Sequence, residues 1–547
     1  MRKRHYILKK LYFLALVIGS ICALGLVPRD CQAQSYKFDW FTNTSGIGVV
    51  GNNNLGVGLF TGNTVNGNYN LSWGNGTGND VTGNRNQASG YGTGNDVVGD
   101  RNTASGYESG NDIANGNRNS AFGYSSGNNI ANGNRNSAFG YESGYNIANG
   151  DRNTATGYQS GHDITNGSDN TATGNNSGNY ITNGNRNTAT GYESGNNITN
   201  GSRNTATGYQ SGSNITNGNG NTVTGNNSGN NITNGNYNNA YGYNSGNNIT
   251  SGSYNNASGN SSGNGVTGSY NNASGNTSGY NVTGSYNNAS GTNSGYNVQG
   301  SFNSAEGTNT GHDVIGNQNI SSGNDSGRTV TGSFNVASGN NDGSNVLGSN
   351  NVALGDDNGN TVIGNGNLSV GNLNGSNVTG SNNFSYGTLS GNTVIGSNNN
   401  ANGLSSGNTV TGNDNLVSGN RSGNNVTGNG NIDPGNDSGN DVLGDYNIVT
   451  GNFSGNDVEG DGNTTSGNVS GNDVLGDGNI ATGNFNGNLV DGDGNVASGN
   501  FSGNFVTGDA NLASGDASGN AINGSQNTVT GFNSGNNVTR QRQQRLR

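Results

Sequence analysis

Apolar residues are sparse in this chain but keep a strict register. From Val49 a Val or Ile recurs every sixteen residues to Ile113, every seventeen to Val266, and every sixteen again to Val538. All 31 of these positions hold Val or Ile, although hydrophobic residues make up only 27% of the sequence. Self-similarity held at a fixed period over so long a stretch marks a repeat architecture and not a low-complexity tract.

Other positions share the register. An Asn stands once per coil, as at Asn86, Asn102, Asn287, Asn431 and Asn511, two residues before a usually small residue such as Ala88, Ala104, Ala289, Ala337 or Ala497. A Gly follows the small residue by two (Gly90, Gly291, Gly499), and another precedes each Val or Ile by three (Gly94, Gly295, Gly503). Each coil therefore predicts two short strands, such as 287–291 and 297–300, with one inward side chain between outward polar neighbours. Glycines supply the positive-φ turns between them. Leucine-rich faces of period near 3.6 are absent, which excludes a helical repeat. Parallel stacking would set each Asn about 4.8 Å above the previous one, where side-chain amides form a ladder. The predicted fold is all-β, a single-chain parallel β-solenoid (β-roll) of about 30 coils of 16–17 residues over positions 49–538. The seventeen-residue coils add one residue just after the hydrophobe and take Ile there in all nine cases, which predicts a widened turn with a slightly larger cavity behind it.

The ends read differently. Residues 1–33 combine a basic start (Arg2, Lys3, Arg4, Lys9, Lys10), an apolar run from Leu11 to Val27 and a small-residue site at Ala33, the pattern of a secretory signal peptide. Residues 34–48 carry Phe38, Trp40 and Phe41, an aromatic cap for the first open coil, and 539–547 form a basic polar tail. Both cysteines, Cys22 and Cys31, fall in the signal segment, so the mature chain is expected to lack disulfides and thiol chemistry. These features predict a secreted, extracellular or cell-surface protein with no membrane span in the mature chain.

Charge and composition narrow the chemistry. The net charge is −12, and between residues 38 and 539 there are nine Arg and no Lys, too few for a nucleic-acid groove. Beyond the signal segment the only histidines are His162 and His312, nine coils apart, and Gly-rich strings are nowhere followed by a Lys-Ser/Thr pair. No catalytic residues and no enzyme activity are expected. The outward columns carry the informative side chains. Arg85, Arg101, Arg118, Arg135 and Arg152 share one position with Arg186 and Arg203, which later becomes Tyr237, Tyr254, Tyr270, Tyr286, Phe302 and Phe334. Tyr107, Tyr124, Tyr141, Tyr158, Tyr192 and Tyr209 form a second column. Aligned Arg and Tyr predict an adhesive face toward extracellular matrix, a surface polymer or a second copy of the chain; the alternative is that they only steady neighbouring coils. From Asp433 to Asp516 there are thirteen acidic and no basic residues. Asp441, Asp457 and Asp473 fall in one column and Asp445, Asp461 and Asp477 in another, so either solvent screens them or calcium occupies the columns. Thr pairs such as Thr154/Thr156 and Thr171/Thr173 flank the small inward residue, which admits an ice-binding alternative.

The strings 153–157 (Asn-Thr-Ala-Thr-Gly) and 119–123 (Asn-Ser-Ala-Phe-Gly) resemble the head repeats of trimeric autotransporter adhesins. That resemblance implies a left-handed parallel β-roll that binds host or matrix surfaces. The period here is longer than that family's, no neck, heptad stalk or membrane barrel follows, and the pattern leaves no second apolar stripe for a trimer core. Gly-x-x-Asn-x-Ala is similar to curlin repeats without their inward Gln. Residues 470–479 look like the calcium-binding nonapeptides of repeats-in-toxin proteins, but with spacing that alternates between seven and nine.

Overall fold

The computed structural model describes residues 45–539 in full and the backbone of residues 36–38 and 544–546. The expected signal segment, Trp40 and Phe41 of the expected aromatic cap and most of the basic tail lie outside these residues. The chain divides into two units, residues 1–215 and 216–547. Each is a parallel β-solenoid, the two together hold about 30 coils, and no helix occurs among the described residues.

In the first unit each coil contributes one strand of up to five residues, and successive strands pair in parallel with every column in register. Gln87–Tyr91 lies on Thr103–Tyr107, so that Ala88 faces Ala104 and Tyr91 faces Tyr107. Tyr36–Phe38 continues this sheet at the N-terminal side by pairing with Leu55–Val57. The opposite wall is held by single parallel bridges, such as Ala114 to Ala131, and by one short pair, Ile147–Ala148 with Ile164–Thr165. In the second unit the same long strands run from Thr222–Asn226 to Thr528–Thr530, with residues 544–546 pairing on the last. There the opposite wall is a continuous sheet of 16 short strands, from Val282–Thr283 to Ile522–Asn523.

The predicted Asn ladder is present, and it does more than stack amides. Asn303 donates its backbone N–H and its Nδ2 to Asn287 Oδ1 (both 3.0 Å) and a further Nδ2 bond to the Gly316 carbonyl (2.9 Å). The next coil repeats the pattern through Asn319. Because a side chain takes the N–H of this Asn, the strand begins one residue later than expected, at Asn288–Thr292 rather than 287–291.

Beside the buried Asn ladder, three columns point inward where the sequence predicts two. The Val/Ile column is buried from Val65 to Val538, and the small-residue column from Ala88 to Val529 fills the other wall. The third column is Thr61, Thr77 and Thr93, then Ser109, Ser126 and their successors as far as Ser518, all wholly buried. Sequence patterning assigns these residues to a polar turn because they lie between two glycines. Ser or Thr fills most of these places, and Asp342, Asn358, Asn374 and Asn486 are buried in the same column. In the second unit several donate Oγ–H to a carbonyl of the next coil, as Ser326 does to Gly339 (2.8 Å) and Ser390 to Gly403 (2.6 Å).

One glycine column shows why the repeat is so rigidly spelled. Gly307 has φ +128°, and a Cβ built there would lie 1.8 Å from the Gly323 carbonyl oxygen. No side chain fits between backbones that close.

The seventeen-residue coils widen the turn as expected. The Ile side chains fill the space: Ile113 through Ile249 are among the most deeply buried residues. In the first unit the inserted residues Asn115, Asn132 and Asn149 take φ near +55° and add a ladder of their own, with Nδ2 of each bonded to Oδ1 of the next at 3.0–3.2 Å.

Candidate adhesive faces

The Tyr column stands at the end of the long strands in the first unit. Rings of Tyr91, Tyr107, Tyr124, Tyr141 and Tyr158 stack face to face with centroids 4.8–5.0 Å apart, and Tyr192 stacks on Tyr209 at 5.0 Å. The strand spacing imposes that separation. Stacking covers the faces and leaves the hydroxyl edges outside, so each ring of the five-membered stack remains 39–49% exposed. Asn175 interrupts the column between Tyr158 and Tyr192. Acidic neighbours raise the pKa of three of these phenols. Glu108 raises Tyr107, Glu142 raises Tyr141, and a hydrogen bond with Glu193 raises Tyr192.

Arg85, Arg101, Arg118, Arg135 and Arg152 occupy the turn before the ladder Asn, each exposed and each at φ of +60 to +64°. With Tyr69 and the neighbouring Asn/Asp column they line a groove of about 830 Å³. Arg85 lies 5.9 Å over the Tyr69 ring, and Arg152 pairs with Asp169 (Nε–Oδ1 2.6 Å), the residue that follows it in the same column. In the second unit this position carries Tyr237, Tyr254, Tyr270, Tyr286 and Phe302, stacked at 4.8–5.1 Å; Gln318 separates Phe334 from that stack.

The two acidic columns differ. In one, each carboxylate accepts a backbone N–H of the preceding coil: Asn429 N–H to Asp445, Asp445 N–H to Asp461, Asp461 N–H to Asp477, all at 2.7–2.8 Å. Asp493 and Asp509 continue it. These side chains carry the structural role that Asn plays elsewhere in the column, with the amide dipoles offsetting their mutual repulsion. In the other, burial raises the pKa of Asp457, and the carboxylates of Asp441 and Asp473 above and below push it further. Among the described residues no group of three or more His, Cys, Asp or Glu is placed to hold a metal ion. His162 and His312 are not bare turn residues. Each bonds the adjacent aspartate (His162 Nδ1–Asp163 Oδ2 2.7 Å, His312 Nδ1–Asp313 Oδ2 2.8 Å) and stacks on a tyrosine.

Two features escape the sequence pattern. Asp433 opens the acidic stretch but does not belong to an outward face. It occupies the small-residue column between Val417 and Val449 and is 2% exposed. Burial pushes its carboxyl up to about 8, against hydrogen bonds from Ser438 Oγ (2.8 Å) and the Gly423 N–H. The second unit also carries an outward apolar column, contrary to the expectation of none. Ile320, Phe384, Leu416, Ile432, Ile448 and Ile480 share one register position and are exposed. It reads as ordinary strand propensity in sequence, since Asn400 and Thr464 interrupt it.

No helix among the described residues is long and apolar enough to cross a membrane. Comparison with protein-family models and with curated proteins yields no match to this chain.

Proposed function

We propose that this protein is a secreted, non-enzymatic structural and adhesive repeat protein that acts through its outward side-chain columns. The observation that carries this reading is the exposed Tyr stack of the first unit. Side chains of the inward columns are committed to folding, whereas the tyrosines offer a row of identical hydroxyl edges at one spacing. Each contact to a repetitive surface is weak, and repetition supplies the avidity without further chemistry. The likeness of the repeats to adhesin heads supports the same reading.

The test replaces Tyr107, Tyr124, Tyr141 and Tyr158 with Ser. A β-rich circular-dichroism spectrum with reduced attachment to matrix-coated or cell surfaces is expected. Unchanged attachment by the folded variant would remove the Tyr column from adhesion, and loss of the fold would make it a stabilising stack. A second reading, a self-assembling extracellular fibre subunit, is favoured by the outward apolar column of the second unit, because contiguous exposed apolar surface promotes association.

A further inference from the structure

We infer that the arginine groove of the first unit is a binding site for an extended acidic polysaccharide, its carboxylates held by the guanidinium row and its hydroxyls by the adjacent amides. This inference rests on the reading that outward columns bind a polymer, and it names the polymer and the residues.

The groove concentrates positive charge in a protein whose net charge is −12. Five guanidiniums against Asp100 and Asp151 leave the groove at +3, counting only its lining residues (5 − 2). Arg101, Arg118 and Arg135 make no ion pair among the described residues, and only Arg152 has a carboxylate partner. Stacking like charges one coil apart is unfavourable by itself. The backbone adds to the cost. All five sit at positive φ, where Asn or Gly is better tolerated than a long side chain. The same column takes Asn350, Asn382 and Asn398, or Gly430 and Gly462, in the second unit. The column also takes Tyr237, Tyr254, Tyr270, Tyr286 and Phe302 at the same φ, so what sets the Arg run apart is its stacked like charge, and a charge kept against that repulsion is the pattern of a position held for a ligand.

Geometry selects the ligand class. The arginines recur once per coil, one strand spacing of about 4.8 Å apart, which suits a linear polymer whose charges recur along an extended backbone. Phosphates of one strand of duplex DNA recur at about 3.4 Å of helix axis and wind around that axis instead of keeping to one row. The neighbouring column supplies Asn68, Asn84, Asn117 and Asn134. Each uses one side-chain N–H on the next coil (3.0–3.2 Å), and an amide has two. The second is free to meet a hydroxyl. Carboxylates and hydroxyls alternating on one extended chain are the chemistry of a polyuronate.

The test measures binding of the full chain to polygalacturonate, neutral dextran and single-stranded poly(dT), for the parent and for the combined Arg101→Gln, Arg118→Gln and Arg135→Gln variant. Gln is chosen because Gln318 and Gln526 occupy this column at the same φ. Expected are polygalacturonate binding that weakens with salt, no dextran binding, weaker poly(dT) binding, and a loss of roughly tenfold or more in the variant. If the triple variant does not fold, Arg118→Gln alone must still weaken binding severalfold. Equal binding by folded variant and parent, binding of dextran, or tighter binding of poly(dT) would overturn the assignment. Loss of attachment on Tyr substitution, with polygalacturonate binding indifferent to the Arg changes, sinks this inference alone. Arg-dependent binding with attachment untouched by the Tyr changes sinks the adhesive Tyr column and leaves the groove standing.

Discussion

Replacing Asp433 with Val should flatten the pH dependence of stability. Val is the residue of the same column in the coils before and after, Val417 and Val449. In the parent the buried carboxyl titrates at about 8, against about 3.9 in the unfolded chain. The folded state therefore binds one more proton than the unfolded state at intermediate pH, and stability falls as pH rises. The contribution is intact below about pH 4, declines by about 1.4 kcal/mol per pH unit, and is lost once pH passes about 8. The gap between the two values is about four units, so the cost of the ionised, buried carboxylate reaches about 5 kcal/mol. Val removes that cost and adds apolar burial. Asp342, wholly buried in the Ser/Thr column with its carboxyl pushed up to about 6, titrates with the same sign. Comparing variant with parent cancels its contribution. The assay is urea unfolding followed by circular dichroism at half-unit steps from pH 4 to pH 9. The stability difference between Asp433→Val and parent should widen across that range in favour of the variant. A difference that stays constant with pH would show that Asp433 is not a buried, protonated acid.

Two further outcomes follow from columns in the second unit. Asn303→Ala leaves the Asn319 N–H and the Gly316 carbonyl without their partners in a buried ladder, and at roughly 1–3 kcal/mol per orphaned group it should destabilise by about 4 kcal/mol in denaturant titration; a loss below about 1 kcal/mol would make the ladder ornamental. Ile432→Thr combined with Ile448→Thr, which puts the residue found at Thr464 into the outward apolar column, should lower concentration-dependent light scattering while leaving the melting midpoint nearly unchanged. Unaltered scattering would remove that column from self-association.

Much of this fold is legible without coordinates because each structural demand is met by the same residue type coil after coil. The Val/Ile period, the Asn before each long strand and the turn glycines each announce a geometry that few residues satisfy. The Ser/Thr column is illegible for the opposite reason. Its residues are polar and sit between glycines, so patterning alone places them in solvent, whereas the structure buries them from Thr61 to Ser518. Asp433 is a case where register outranks side-chain character: counting sixteen from Val417 puts it inside, although its chemistry and its acidic neighbours argue for the surface. The Arg and Tyr columns are visible as columns in the sequence. That the Tyr rings are stacked with exposed edges, and that the Arg row borders a groove with amides on its flank, depends on turn geometry that spacing does not encode.

The inserted Asn of the wide coils has a consequence for how such a chain can vary. Asn132 is satisfied because Asn115 and Asn149 lie on either side of it. A lone wide coil among narrow ones would give its extra residue no neighbour to bond. The penalty therefore attaches to each border between coil lengths and not to each coil, as it does at a domain wall in a magnet. Scattered wide coils would multiply borders, while a block has only two. This fits the nine wide coils standing consecutively between Ile113 and Val266, eight with Asn at the inserted position and the last, at the border, with Ser251. It also means that a change of coil length can spread through such a protein only by copying blocks, since a single inserted residue bears the full cost of both borders at once.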